Sequence, residues 1–173
     1  ESIVNKKEHI YGYMHAIKAV ELAAKYLPEA VADGENAEAR EGLALAASLA
    51  GMYMMCTAEH AIEHAMSAFH PELAHGAGLI LISGAYWNAV AQSHTCDGAL
   101  SEMAAAMGRT DGDFTAALRE LKEKCDVPGL KMSDFGIERR EIAAIAENAR
   151  ATMGVISGRG KLMMTSVPCW TWQ

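Results

Sequence analysis

Four of the chain's seven histidines, His60, His64, His70 and His75, fall between Glu59 and Gly76. Residues four apart on a helix share a face, so His60 and His64 project together. Pro71 turns the chain and can bring His75 back to the same neighbourhood. Neutral imidazole is a good ligand for Fe(II) or Zn(II), and a site assembled across two helices and a turn needs a long spacing of this kind. His60 and His75 are therefore the candidate metal ligands. His70, beside Pro71 in an expected loop, reads instead as a hydrogen-bonded core or surface residue.

The same letters admit a different chemistry. His60-Ala61-Ile62-Glu63-His64 satisfies the H-x-x-E-H pattern of inverted zinc peptidases, in which Glu63 would be the general base. The pattern is short and easily met by chance, and neither the further acidic ligand nor the substrate-binding lobe such a site needs can be identified. A third reading is a non-catalytic helical interaction module whose histidines only pack.

The elements that must carry these residues are helical. Ile10, Tyr13, Ile17, Val20, Ala24 and Leu27 recur at steps of three and four, one apolar stripe of a helix that Asp33-Gly34 stops. Asn36 can cap the next helix, with Glu38 and Glu41 favouring its positive end. The apolar run that follows carries through to about Phe69, with Gly51 as its weak point. After Pro71 a third helix is expected from near His75 to about Gln92, a fourth over Leu100 to Met107, and a fifth from an Asp111 cap to Cys125. Val127-Pro128-Gly129 forms a loop. The last helix keeps Glu138, Arg139, Arg140 and Glu141 wet, turns Ile142, Ile145, Ala146 and Ala149 to the core, and closes at Gly154. With no alternating strand pattern, the expected fold is all-α, a single bundle of about six or seven helices.

Composition bounds what such a bundle does. At 173 residues, with 51% hydrophobic and 21% charged residues, one soluble domain with a real core is the default. The formal charge of −7 is spread along the chain, leaving no footprint for nucleic acid or an anionic membrane surface. Cysteines at 56, 96, 125 and 169 lack the spacing of zinc knuckles or redox dithiols and are too sparse for a disulfide scaffold, so a reducing cytoplasm fits best. The stretches 42–58 and 73–92 lack Asp, Glu, Lys and Arg. The first is Ala-rich and the second is broken by His75, three glycines, Ser83, Asn88 and Gln92, so both read as buried helices rather than membrane spans. Met52, Met54 and Met55 read as core filling. The start at Glu1 reads as not the native one, since it is not Met and no leader pattern follows.

The run from Glu59 to Leu81 resembles the signature of the iron-containing, or group III, alcohol dehydrogenases: paired histidines on a helix, a small turn, then His-Gly opening an apolar helix. The likeness extends to Lys25-Tyr26-Leu27-Pro28 with 33–41, which is similar to that family's second helix entry, and to Ser133-Asp134-Phe135-Gly136-Ile137, similar to its late loop. It covers about residues 1–154. It implies a dehydroquinate-synthase-like helical C-terminal domain over 1–157, with a nucleotide-binding α/β domain for NAD or NADP lying outside this chain and 158–173 as a divergent, non-native tail. It also implies a divalent metal, iron or zinc in its place, held by one Asp and three His. On that pattern His60 and His75 match two metal ligands, and His64 matches a histidine on the substrate and nicotinamide side that relays a proton. Glu1 looks like the Glu that follows the other two ligands, so the chain would begin just after half its metal site. The spacing of 15 from His60 to His75 puts one extra residue in the turn around His70. His9 and His15 match no ligand position and read as surface or packing residues. The implied activity is hydride transfer between a small alcohol or aldehyde and a nicotinamide. A fragment without the Gly-rich pyrophosphate-binding unit is expected to be inactive alone, and to self-associate as a homo-oligomer through the apolar surface left open.

Overall fold

In a computed structural model, residues 1–5, 9–127 and 129–153 are described. They form seven α-helices and three short 3-10 turns, and no strand occurs among the described residues. The helices are α1 (Ile10–Ala32), α2 (Ala37–Met52), α3 (Ala58–Phe69), α4 (His75–Gln92), α5 (Asp97–Ala106), α6 (Phe114–Lys124) and α7 (Ile142–Met153). The all-α class read from periodicity is what the structure has. The residues after 153 lie outside the described ones, so the expectations for Gly154 and for the tail 158–173 are not addressed by it.

The helices gather into two compact units. One contains α1, α2, α5 and α6. His9 caps α1, its Nδ1 accepting from the Gly12 amide at 3.4 Å, and Asp33 closes the helix, its amide donating to the Glu29 carbonyl at 2.9 Å. Asn36 caps α2 as its sequence position suggested, its side-chain oxygen accepting from the Ala39 amide at 3.1 Å. Antiparallel to α2, α1 lays the Tyr26 ring over Gly42, where a Cβ would sit 2.2 Å from the ring. A glycine is required there by that close approach. His15 packs edge-on against Tyr11, whose ring also meets Tyr53.

Sequence reading placed three details of this unit wrongly. Ile10 heads the apolar stripe of α1 yet is 75% exposed, while Gly12 in the same turn is buried. Met52 and Met54, expected in the core, are exposed because α2 stops at Met52 and the chain unwinds through Tyr53. The cap of α6 is Asp113, which accepts from the Ala116 amide at 2.9 Å; Asp111 is instead held by Arg109, which also pairs with Glu120. The Arg109 hydrogen bonds pull the Asp111 carboxyl down to about 2.

The second unit contains Glu1, α3, α4, α7 and the turns before α7. The break foreseen near Gly51 is complete, with α3 starting afresh at Ala58 after an unwound segment. Ala61, Ala65, Met66, Leu73, Ile82, Ile137, Ile145 and Ala149 make its core. The small residues let α3 pack closely on α4 and α7, and the long ones fill the remaining gaps. Gly136, with φ +73, terminates the Met132–Phe135 turn in the left-handed conformation and delivers Ile137 into the core at 1% exposure. Replacing Ile82, which is fully buried, by Ala should cost about 2–5 kcal/mol. Replacing exposed Ile10 should stay within about 0.5 kcal/mol. Urea midpoints would read both, and equal shifts would contradict this placement of the core.

Candidate metal centre

Two adjacent stripes of α3 run side by side. Glu59 and Glu63 lie four apart on the buried side, while His60 and His64 lie four apart on the next stripe towards solvent. The turn after α3 then decides whether a third imidazole joins them. The His70 amide donates to the Met66 carbonyl at 2.8 Å, and the Leu73 amide donates to the His70 carbonyl at 2.9 Å, so the chain reverses within three residues. That turn sets His75 at the first position of α4.

The three rings close into a triangle. The His60 and His75 centroids are 5.4 Å apart, His64 and His75 5.4 Å, and His60 and His64 6.1 Å. His70 does not join them; its Nε2 lies 3.3 Å from a Glu141 oxygen. His9 and His15 belong to the other unit, with α1 and its aromatic neighbours. The side chains of His64 and His75 are half exposed, at 50% and 51%, and that of His60 is 18% exposed. The triangle therefore has an open side.

Beneath it stand two carboxylates, Glu63 and Glu1, to which sequence reading gave no part behind the histidines. Glu63, with 0% exposure, bonds His75 Nδ1 through one oxygen and accepts from the Ser67 hydroxyl at 2.6 Å through the other. Glu1 bonds His60 Nδ1 through one oxygen, while its other oxygen takes the Thr57 hydroxyl and the Glu59 amide. Thr57 in turn lies 2.7 Å from the Tyr86 hydroxyl, so this network is anchored on α4. The hydrogen bond to Glu1 raises His60 above the ordinary histidine range. The sequence signal that could have pointed to Glu63 is its place four residues after Glu59, an acidic pair on the buried stripe of α3. Its meaning depends on α4, which periodicity does not place.

Donor atoms lie within 4.8 Å of one another in two groups, Glu1 with Cys56 and His60, and Glu63 with His64 and His75. Imidazole nitrogen suits iron and zinc, so this donor chemistry fits a divalent transition metal. Cys56 is the weakest donor of the set, since burial pushes its thiol up and disfavours the thiolate that would bind.

An imidazole cluster backed by carboxylates gives this all-α domain donor groups that could hold a metal ion. Its family is given by comparison: the description "Fe-containing alcohol dehydrogenase family, C-terminal" fits residues 1–159, and the chain belongs to that family. It is 32% identical over 149 residues to the long-chain primary alcohol dehydrogenase AdhA of Thermoanaerobacter ethanolicus, covering 82% of this chain and 37% of that protein. Among solved structures it is similar to the archaeal halo-thermophilic Red Sea brine pool alcohol dehydrogenase ADH/D1, with TM-score 0.83 and 28% identity over 89% of this chain and 41% of that one. It is also similar to the sulfoacetaldehyde reductase of Bifidobacterium kashiwanohense, solved with NAD+, with TM-score 0.74 and 26% identity over 92% and 43%. The chain thus spans about two fifths of the length of these relatives.

Glu59 supplies a pH-dependent consequence. Burial, reinforced by repulsion from Glu1, pushes its carboxyl up to about 7 although Trp87 donates a hydrogen bond to it. A carboxyl raised in the folded state contributes stability that is complete below its unfolded value and is lost as pH rises through the folded one. Glu59→Gln should therefore match the parent near pH 4.5 and exceed it at pH 8 by on the order of 3 kcal/mol. Urea titrations at the two pH values measure this, and an unchanged difference between them would contradict it.

Proposed function

We propose that this chain is the helical metal-binding part of an iron-dependent, NAD(P)-linked alcohol dehydrogenase, with His60 and His75 as two of the metal ligands and His64 on the substrate side. The observation that carries the reading is the His60–His64–His75 triangle, in which two rings are held from behind and one is not. A bound Fe(II), or Zn(II) in its place, supplies Lewis acidity towards an alcohol or aldehyde oxygen. This chain's residues do the rest of what falls to them. His60 and His75 present fixed imidazoles, and half-exposed His64 can take up or release a proton at the open side. The substrate is a small alcohol or aldehyde, in keeping with the alcohol dehydrogenase named above, and the hydride acceptor is NAD or NADP bound outside this chain.

Catalytic metal sites usually hold at least three protein ligands, and two come from here. The chain alone should accordingly bind metal weakly and turn over nothing, with activity appearing only in a protein that also carries a nucleotide-binding domain. Self-association as a homo-oligomer and a cytoplasmic setting are part of the same proposal. The apolar residues Ile10, Tyr11, Met14, Met52 and Met54 are exposed on the first unit. No helix among the described residues is long and apolar enough to cross a membrane.

The peptidase reading is disfavoured by Glu63. Its oxygens are occupied by His75 and Ser67 and its side chain is closed to solvent, whereas a general base must reach a water.

Calorimetric titration with Zn(II) or Co(II) tests the assignment. His60→Ala and His75→Ala should each weaken binding at least tenfold, and His64→Ala should leave it within a few-fold. In the complete enzyme His64→Ala should lower kcat by roughly 10²-fold. Full-strength binding by His75→Ala would remove the metal assignment.

A further inference from the structure

We propose that Glu63 is a positioning residue for His75, and Glu1 for His60. Each carboxylate accepts the Nδ1–H of its histidine and thereby makes Nε2 the nitrogen presented to a metal. The inference rests on the metal-site reading above and deepens it by assigning the groups behind the ligands.

Four observations converge on Glu63. Its side chain is fully buried, so it is not a freely hydrated surface acid. Of its two oxygens, one meets His75 Nδ1 and the other accepts from Ser67, which fixes the plane of the carboxylate from within α3. The wall opposite is Gly78, one turn into α4 from His75, where a Cβ would stand 2.8 Å from Glu63 Cγ and 2.9 Å from Oε1. Any larger residue at 78 would occupy the carboxylate's space. Finally, His60 shows the same arrangement from a different part of the chain, with Glu1 on Nδ1 and its second oxygen held by Thr57 and the Glu59 amide. Among the described residues His64 has no comparable partner; the nearest Glu63 oxygen is 4.0 Å from its Nε2.

The physical consequence concerns which nitrogen carries the proton. A neutral imidazole donates from one nitrogen and offers a lone pair on the other, and the tautomer is set by the partner that one of them finds. A carboxylate on Nδ1 demands the Nδ1–H form, which leaves the Nε2 lone pair for coordination and locks the ring's rotation. Second partners of this kind change metal affinity by 10- to 100-fold. The unbacked ring, His64, stays free to change tautomer, as a proton relay requires. A structural role for Glu63 alone would predict no effect on the His75 tautomer or on which nitrogen meets metal.

The test is long-range ¹H–¹⁵N NMR of the histidine rings of this chain at pH 9, before and after addition of Zn(II). His60 and His75 should both be Nδ1–H without metal, and Zn(II) should then shift their Nε2 resonances. In Glu63→Leu, His75 should revert towards the Nε2–H form and Zn(II) affinity should fall 10- to 100-fold. His60 should be unchanged, and Glu63→Gln, which keeps an acceptor oxygen, should restore the His75 tautomer. An Nε2–H tautomer at His75 in the parent chain overturns the inference, as does Zn(II) shifting Nδ1, which would make Glu63 a fellow ligand. If the tautomers are as stated but Zn(II) shifts no ring, the metal reading itself fails. Should Glu63→Leu not fold, the parent chain's tautomers and Zn(II) shifts still decide.

Discussion

The unit that carries the site is organised around one buried carboxylate. Taking an ionised group out of water is costly unless it is paired and hydrogen-bonded, and Glu63 sits at 0% exposure between α3 and α4. The structure meets that cost with His75 and Ser67 on its two oxygens, and with a glycine on α4 that leaves room for it. Because one partner is on the same helix and the other begins the next, satisfying Glu63 also fixes where α4 starts. The apolar core behind, from Met66 and Ile82 to Ile145 and Ala149, stabilises the packing of α3 with α4 and α7, and the polar contact adds a directional tie between α3 and α4.

Acidic residues of one helix turn separate physical fates. Glu63 is matched by donors on both oxygens. Glu59, four residues earlier, has Trp87 as donor, yet its burial and then the charge of Glu1 push it towards its neutral form. Glu1 takes the Thr57 hydroxyl, the Glu59 amide and His60. The result is a layer in which negative charge is concentrated directly behind two imidazoles and kept away from the open side. Such a layer favours cations in front of it, in line with the divalent metal implied by the family.

A helical unit of this kind can hold some groups and not others. Imidazoles on facing helices are readily fixed by packing and buried hydrogen bonds, which is the arrangement in α3 and α4. A dinucleotide pyrophosphate is held at a Gly-rich strand-to-helix turn, and no strand exists among the described residues to provide one. The chain spans about two fifths of its relatives' length, and what its described residues hold is the imidazole cluster and the carboxylates behind it.

Much of this architecture is written in local sequence. The helical class and most helix spans follow from apolar spacing and from caps such as Asn36, because those signals act over three to four residues. The pairing of His60 with His64 is equally local, a consequence of 3.6 residues per turn. Resemblance of 59–81 to a family signature brought His75 into the same site. Beyond that range the sequence is silent. Asp111 reads as the cap of α6 on paper, but Arg109 and the Asp113 amide hold it, and Asp113 caps the helix instead. Met52 and Met54 look like core residues until the end of α2 leaves them in water. Glu63 reads as a catalytic base from its letters, while its burial, its hold on His75 and its need for Gly78 exist only once α4 folds back over α3. Periodicity determines which residues share a face; what that face meets is set by contacts between distant segments, and here those contacts turn an acidic residue into the support of a histidine.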